Sequence, residues 1–212
     1  VKGNFAHDVL ELWTQSIIRG VDSLEAMQRA FVDVKRQKKY LDLHIEKYLE
    51  EIKPWLRGFF ERYQQNKFIP LAAEQKVGFK YRNIIVLGRI DRIDHIDNRT
   101  IKIVDYKSTK DPKYLTNLQL GMYHVAVKYG ELKSQYGDKE IQTAYVLLRH
   151  DMKEAPYEFS VPDLDACLDE IETTVQQIQA DTTWKACPSN LCQYCDYFVP
   201  CMKERENVDN WW

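Results

Sequence analysis

Two strand-like runs, Ile84 to Asp94 and Thr100 to Lys107, are joined across Asp97-Asn98 and carry acids at Asp91 and Asp105. A strand has a side-chain period of two, so Asp105 and Lys107 fall on one face and a carboxylate and an amine converge there. Where Asp91 points depends on the loop. A three-residue loop of Asp97, Asn98 and Arg99 sets Asp91 directly opposite Asp105, whereas a two-residue turn would pair it with Val104 and turn it away. We expect the odd-length loop. Two carboxylates one strand spacing apart make a hard oxygen site suited to Mg²⁺ or Mn²⁺, and the bland alternative is a surface Asp/Lys ladder.

The pattern around this pair restricts the fold class. Phe5, Val9, Leu12, Trp13 and Ile17 are spaced for one buried helical stripe, and Ile45, Tyr48, Leu49 and Ile52 for another. Pro54 should kink or divide the second helix, which continues through Leu56, Phe59, Phe60 and Tyr63. Strands are expected at Leu71 to Phe79, Ile84 to Asp94 and Thr100 to Lys107, then a helix from about Leu115 to Tyr129 with Gln119 and Tyr123 one turn apart. Ile141 to Arg149 reads as a strand, Tyr157 to Val161 as a short edge strand, and Pro162 opens a helix towards Ala180. This order implies an α/β fold, a mixed central sheet flanked by helices with a small cysteine-rich C-terminal loop region. The strand beginning at Ile141 is expected parallel to Thr100 to Lys107. We take residues 1–212 as one domain, with a helical part at 1–70, a sheet core at 71–150, and a helix plus cysteine region at 151–212.

At 212 residues the chain can bury a core of its own. No apolar run approaches a membrane span and no signal peptide is present, so an intracellular location without membrane contact is expected. A net charge of −2 does not exclude a nucleic-acid partner, because the local field of the binding face decides. Arg89 and Arg92 flank the acids and are candidate DNA-phosphate contacts; Lys35, Arg36, Lys38 and Lys39 read more simply as a solvated helix end. Cys187, Cys192, Cys195 and Cys201 lie within fifteen residues, a density that favours metal or cluster binding over disulfides. Cys167 sits in an amphipathic helix and reads as a small buried hydrophobe.

Taken in order, Gly3-Asn-Phe-Ala-His7, Gly88-Arg-Ile-Asp91, Asp105-Tyr-Lys107, Gln119-Leu-Gly-Met-Tyr123 and the terminal C-x2-C-x5-C resemble the successive motifs of the PD-(D/E)XK nuclease superfamily. They are most similar to its RecB/AddB-type exonuclease branch, which includes CRISPR-associated and phage nucleases with an iron–sulfur cluster. The resemblance implies a restriction-endonuclease-like fold and a divalent-metal-dependent DNA nuclease, an exonuclease on single-stranded ends, alone or within a larger helicase–nuclease of DNA repair and recombination. It makes His7 a helix-borne metal ligand, Asp91 and Asp105 the metal carboxylates, the Tyr106 carbonyl a further ligand and Lys107 the catalytic lysine. Gln119 and Tyr123 would lie over the site, and Glu74 would be the acid of the first strand. Cys192, Cys195 and Cys201 would hold a [4Fe–4S] cluster, with Zn²⁺ as the alternative. The family's first cysteine would fall before Gly3, so either it is missing here or Cys187 supplies the fourth thiolate.

Two rival readings follow. One is a non-catalytic DNA-binding module stapled by its cysteines. The other is a zinc-dependent scaffold with salt-bridged strands, which would leave His7 far from Asp91 and Asp105.

Overall fold

Strands β1 (Ile69–Tyr81), β2 (Ile84–His95), β3 (Thr100–Lys107), β4 (Glu140–Leu147) and β5 (Lys153–Tyr157) form one mixed sheet in that order. β1, β2 and β3 are an antiparallel meander, β3 and β4 run parallel, and β5 returns antiparallel. This computed structural model describes residues 1–183, 186, 188–189, 192 and 195–201. The chain divides into two compact units, Val1–Glu170 and Ile171–Trp212.

The β2–β3 connection has the odd length. His95 pairs with Ile101, and the Ile96 N–H donates to the Thr100 carbonyl at 3.1 Å, leaving Asp97, Asn98 and Arg99 as the loop. Asp97 Oδ1 closes it by accepting the Arg99 N–H at 2.7 Å. The ladder runs to Arg92 opposite Val104, and one more step of the same register sets Asp91 against Asp105. At that step the Tyr106 N–H donates to the Asp91 carboxylate at 2.7 Å.

Helices α1 (Lys2–Ile18), α2 (Leu24–Lys35), α3 (Lys38–Asp42) and α4 (Leu49–Gln65) precede the sheet, while α5 (Leu118–Tyr129) and the short α6 (Lys133–Tyr136) join β3 to β4. α7 (Val161–Ala180) follows β5, and the boundary between the two units falls within it. Phe5, Val9, Leu10 and Trp13 of α1 and Ile52, Leu56 and Phe59 of α4 share a core with Val104, Tyr106 and Val146, alternate residues of β3 and β4. Full burial of each Phe, Leu, Ile or Val contributes about 1.5–3 kcal/mol. The opposite sheet face carries Asp105 and Tyr145, and there the Tyr145 hydroxyl donates to the Thr116 carbonyl just before α5. α5 packs on β1, β3 and β4.

Of one long helix or two at Pro54, the chain takes one, α4, and a break falls earlier, at the 3-10 turn Ile45–Tyr48 that follows left-handed His44 (φ 49°). Burial of Trp55, Leu56 and Phe59 holds the helix through the hydrogen bond that proline removes. The edge strand is Lys153–Tyr157 rather than Tyr157 to Val161, because Asp151 (φ 50°) and Met152 (φ 57°) turn the chain without glycine. The central helix begins at Leu118, not Leu115.

Candidate active site

The N-terminal helix reaches the end of β3 because Gly3 carries no side chain: a Cβ there would lie 2.5 Å from Ser108 Oγ. One turn further along the same side of α1, His7 Nδ1 comes to 3.4 Å from Asp91 Oδ2. The ring of Tyr106 stands edge-on to His7, with centroids 5.7 Å apart. Across β1, the pairs Ala73–Arg92 and Gln75–Ile90 bracket Glu74 against Asp91. Glu74 has a left-handed backbone (φ 49°), which costs a non-glycine residue about 1–3 kcal/mol and is held there by the surrounding packing. One ligand atom from each of His7, Glu74 and Asp91 lies within 4.8 Å of the others.

Beside this trio stands a hydrogen-bonded relay. The Lys107 ammonium is 2.6 Å from Asp105 Oδ2, and it donates to Gln119 Oε1 at 2.7 Å. Gln119 Nε2 donates at 2.8 Å to both Asp105 Oδ1 and the Tyr123 oxygen, and the Tyr123 hydroxyl donates to the Arg89 carbonyl at 2.6 Å. A carboxylate accepts only and an ammonium donates only, so the Gln119 amide has one orientation that satisfies both. Gly88 makes room for this arrangement; a Cβ there would sit 3.1 Å from the Tyr123 ring.

Burial, and next the charge of Asp91, pushes the Asp105 carboxyl up to about 6 against the pull of Lys107. The Glu74 carboxyl is raised by burial and again by Asp91. Burial opposes the charged form of His7, yet Asp91, Asp105 and Glu74 together hold its pKa above the ordinary value. Asp105 Oδ2 is buried and has no well-angled hydrogen bond despite its contact with Lys107. Crowded acids that raise one another's pKa and an imidazole are a donor set that fits a divalent cation.

The whole arrangement lies within a stretch matched by one family model: the PD-(D/E)XK nuclease superfamily matches residues 1–202. The chain belongs to that superfamily. Among solved structures, this nuclease is similar to a protein from Eubacterium rectale described as a candidate exonuclease, at 13% identity and a TM-score of 0.45, covering 88% of this chain and 74% of that one. It is also similar to SSO0001, at 18% identity and a TM-score of 0.38, covering 92% and 84%. No curated protein matches. The mixed five-stranded sheet between helices is the restriction-endonuclease-like fold of the superfamily.

Within the nuclease, His7 and Asp91 meet as the motifs imply, a proximity that the scaffold reading does not provide for. Glu74, the acid expected on the first strand, joins them, while Asp105 is held by Lys107 and Gln119 and does not join the trio. No residue pattern signals the backbone twist that brings Glu74 in.

Arg92 corrects an expectation. It is 3% exposed, with Nε at 2.8 and 3.0 Å from the two Asp94 oxygens, Nη1 donating to the Tyr106 hydroxyl at 2.6 Å, and its guanidinium 3.6 Å from the Phe68 ring centre. It supports the strand from beneath and cannot reach a phosphate. Arg89 is half exposed and pairs with Glu74 at 3.3 Å. Cys167 is buried, as expected. Among the described residues, Cys192, Cys195 and Cys201 form no disulfide and are not gathered within ligand distance of one another. Cys187 and Tyr194 lie outside the described residues.

Proposed function

We propose that this protein is a divalent-metal-dependent deoxyribonuclease acting on single-stranded ends as an exonuclease, with His7, Glu74 and Asp91 as metal ligands, joined by Asp105 and the Tyr106 carbonyl. The observation that carries the reading is the convergence of His7, Glu74 and Asp91 beside the Asp105–Lys107 pair. A bound Mg²⁺ or Mn²⁺ supplies Lewis-acid polarisation of a phosphodiester and a more acidic water. Asp105 and Gln119 hold the Lys107 ammonium, which also lies 5.0 Å from the Tyr145 ring centre, and it is the donor we assign to a phosphate oxygen. Stabilising the added negative charge as water adds to phosphorus and the leaving oxygen departs with a proton is the task assigned to Lys107. Tyr123 fixes Gln119 to the β2 backbone and is a positioning residue.

The preference for single-stranded ends, the RecB/AddB-type affiliation, the intracellular setting within a helicase–nuclease or a phage or CRISPR-associated assembly, and a [4Fe–4S] cluster in place of Zn²⁺ are proposed from the sequence motifs alone. Iron and sulfide analysis of the purified protein decides the last. The primary test is cleavage of end-labelled single- and double-stranded DNA with Mn²⁺, Mg²⁺ or EDTA, alongside Lys107→Ala. Metal-dependent cutting that falls on the order of 10²-fold or more in the variant is expected, with a product ladder separating end-cutting from internal cutting. DNA bound but uncut under every metal would replace this reading with the binding module.

A further inference from the structure

We infer that the outward face of the β1–β2 hairpin is the docking surface for an unpaired nucleic-acid strand and leads it to the metal-ligand trio. The inference rests on the nuclease reading and specifies its substrate. In the hairpin register Lys76 pairs with Arg89, Gly78 with Leu87 and Lys80 with Ile85. Directly opposed residues share a face and alternate along each strand, so these six form one surface. The intervening residues Val77, Phe79, Val86 and Gly88 turn the other way and line a groove with Tyr123 and Ala126 of α5, which Gly78 and Leu87 also border. Apart from Gly78, which Leu87 and Glu131 cover, the outward face is open: Ile85 is 71% and Leu87 74% exposed, and Lys76 and Lys80 are exposed too. Gly78 lets Leu87 lie across the strand, since a Cβ there would be 2.9 Å from Leu87 Cδ2.

Charge chooses the occupant. The Lys76 and Lys80 ammonium groups, four residues and about 13 Å apart along β1, have no acid partner among the described residues. Arg89 at the inner end is met by Glu74 and by the field of Glu11, tying the face to the metal-ligand trio. Glu131 borders the surface beside Gly78. Cations alternating with apolar side chains suit a chain of phosphates whose bases are unstacked; a duplex keeps its base faces stacked on one another and offers none of them to Ile85 and Leu87. A second copy packed through this face would set lysines against lysines.

The test is fluorescence anisotropy of labelled oligo(dT) in EDTA over a range of salt, comparing the full chain with Lys76→Gln/Lys80→Gln and with Glu131→Gln. Both lysines are exposed, and thermal melts check that the variants fold. Loss of two single-strand phosphate contacts should lower the slope of log K against log salt by about 1.4, at about 0.7 per contact. Glu131→Gln should tighten binding, and a duplex of equal length should respond less. An unchanged slope, an equal response by the duplex, or a dimer broken by Leu87→Asp without change in DNA affinity would overturn the inference. Wild-type cleavage of DNA and of bis(p-nitrophenyl) phosphate with Mn²⁺ reports the nuclease reading separately. Cleavage with an unresponsive hairpin sinks only the hairpin, and a responsive hairpin without cleavage supports it while sinking the nuclease.

Discussion

Replacing Arg92 with methionine separates its structural place from the phosphate contact that its position near Asp91 suggests. The side chain is 3% exposed and its partner Asp94 1%, with two hydrogen bonds between them and a third to Tyr106. Arg92→Met leaves Asp94 charged, buried and uncompensated, a situation that typically costs about 3–5 kcal/mol. For a chain of this size that is on the order of 10 °C in Tm. Removing both partners, as Arg92→Met with Asp94→Leu, takes away the stranded charge and should recover most of the loss, so a double-mutant cycle by urea unfolding should show strong coupling. The pH dependence has a definite sign. Without Arg92, burial pushes the Asp94 carboxyl up against only the weaker pull of Lys102, so the folded protein holds that proton more tightly than the unfolded chain. The penalty then shrinks as pH falls and grows as it rises, and should be smaller near about pH 5 than near about pH 8. DNA affinity of the folded variant should be unchanged. A cost below about 1 kcal/mol together with weakened DNA binding would refute the reasoning and return Arg92 to a phosphate.

His124 is buried with Nδ1 unpartnered, and burial followed by the charge of Lys128 lowers its pKa to about 4. Because the folded value is depressed, the stability is present above the unfolded value near 6.5 and is lost as pH falls towards 4, by up to about 3 kcal/mol; His124→Leu should flatten the urea midpoint over that window, and an unaltered slope would assign it to other groups. Gly88→Ala should cost about 1–3 kcal/mol by overpacking against Tyr123, which its hydrogen bonds to Arg89 and Gln119 keep from moving, and should slow cleavage by loosening Gln119 from Lys107; full activity in that variant would show that Tyr123 does not position the relay.

Much of the fold was legible because it rests on local periodicity. The alternation from Ile101 to Lys107 and the loop of Asp97, Asn98 and Arg99 carry enough information to set Asp91 opposite Asp105. The i, i+4 spacings of Gly3 with His7 and Gln119 with Tyr123 do the same for the helices. What escaped has no local signature. Asp151 and Met152 adopt left-handed backbones without being glycine, a choice made by tertiary packing, and they moved an edge strand; Glu74 was named by its motif, but its left-handed backbone was not legible. Arg92 was misread because charge beside an active-site motif looks the same in sequence whether it faces solvent or sits beneath the strand on Phe68.

His7 and Gly3 belong to the first helix, Glu74 to the first strand, Asp91 and Asp105 to the second and third, and Gln119 to a helix beyond them. No fragment shorter than the stretch from His7 to Gln119 contains these donors together with the residue that aims the lysine. Loop closure over such separations is entropically costly and is repaid only when the helices and sheet dock together. For a nuclease, this dispersal is a safeguard. The emerging chain has no cutting centre to deploy, and the capacity to cleave arrives with the last long-range contacts of folding and is lost with the first of them to open.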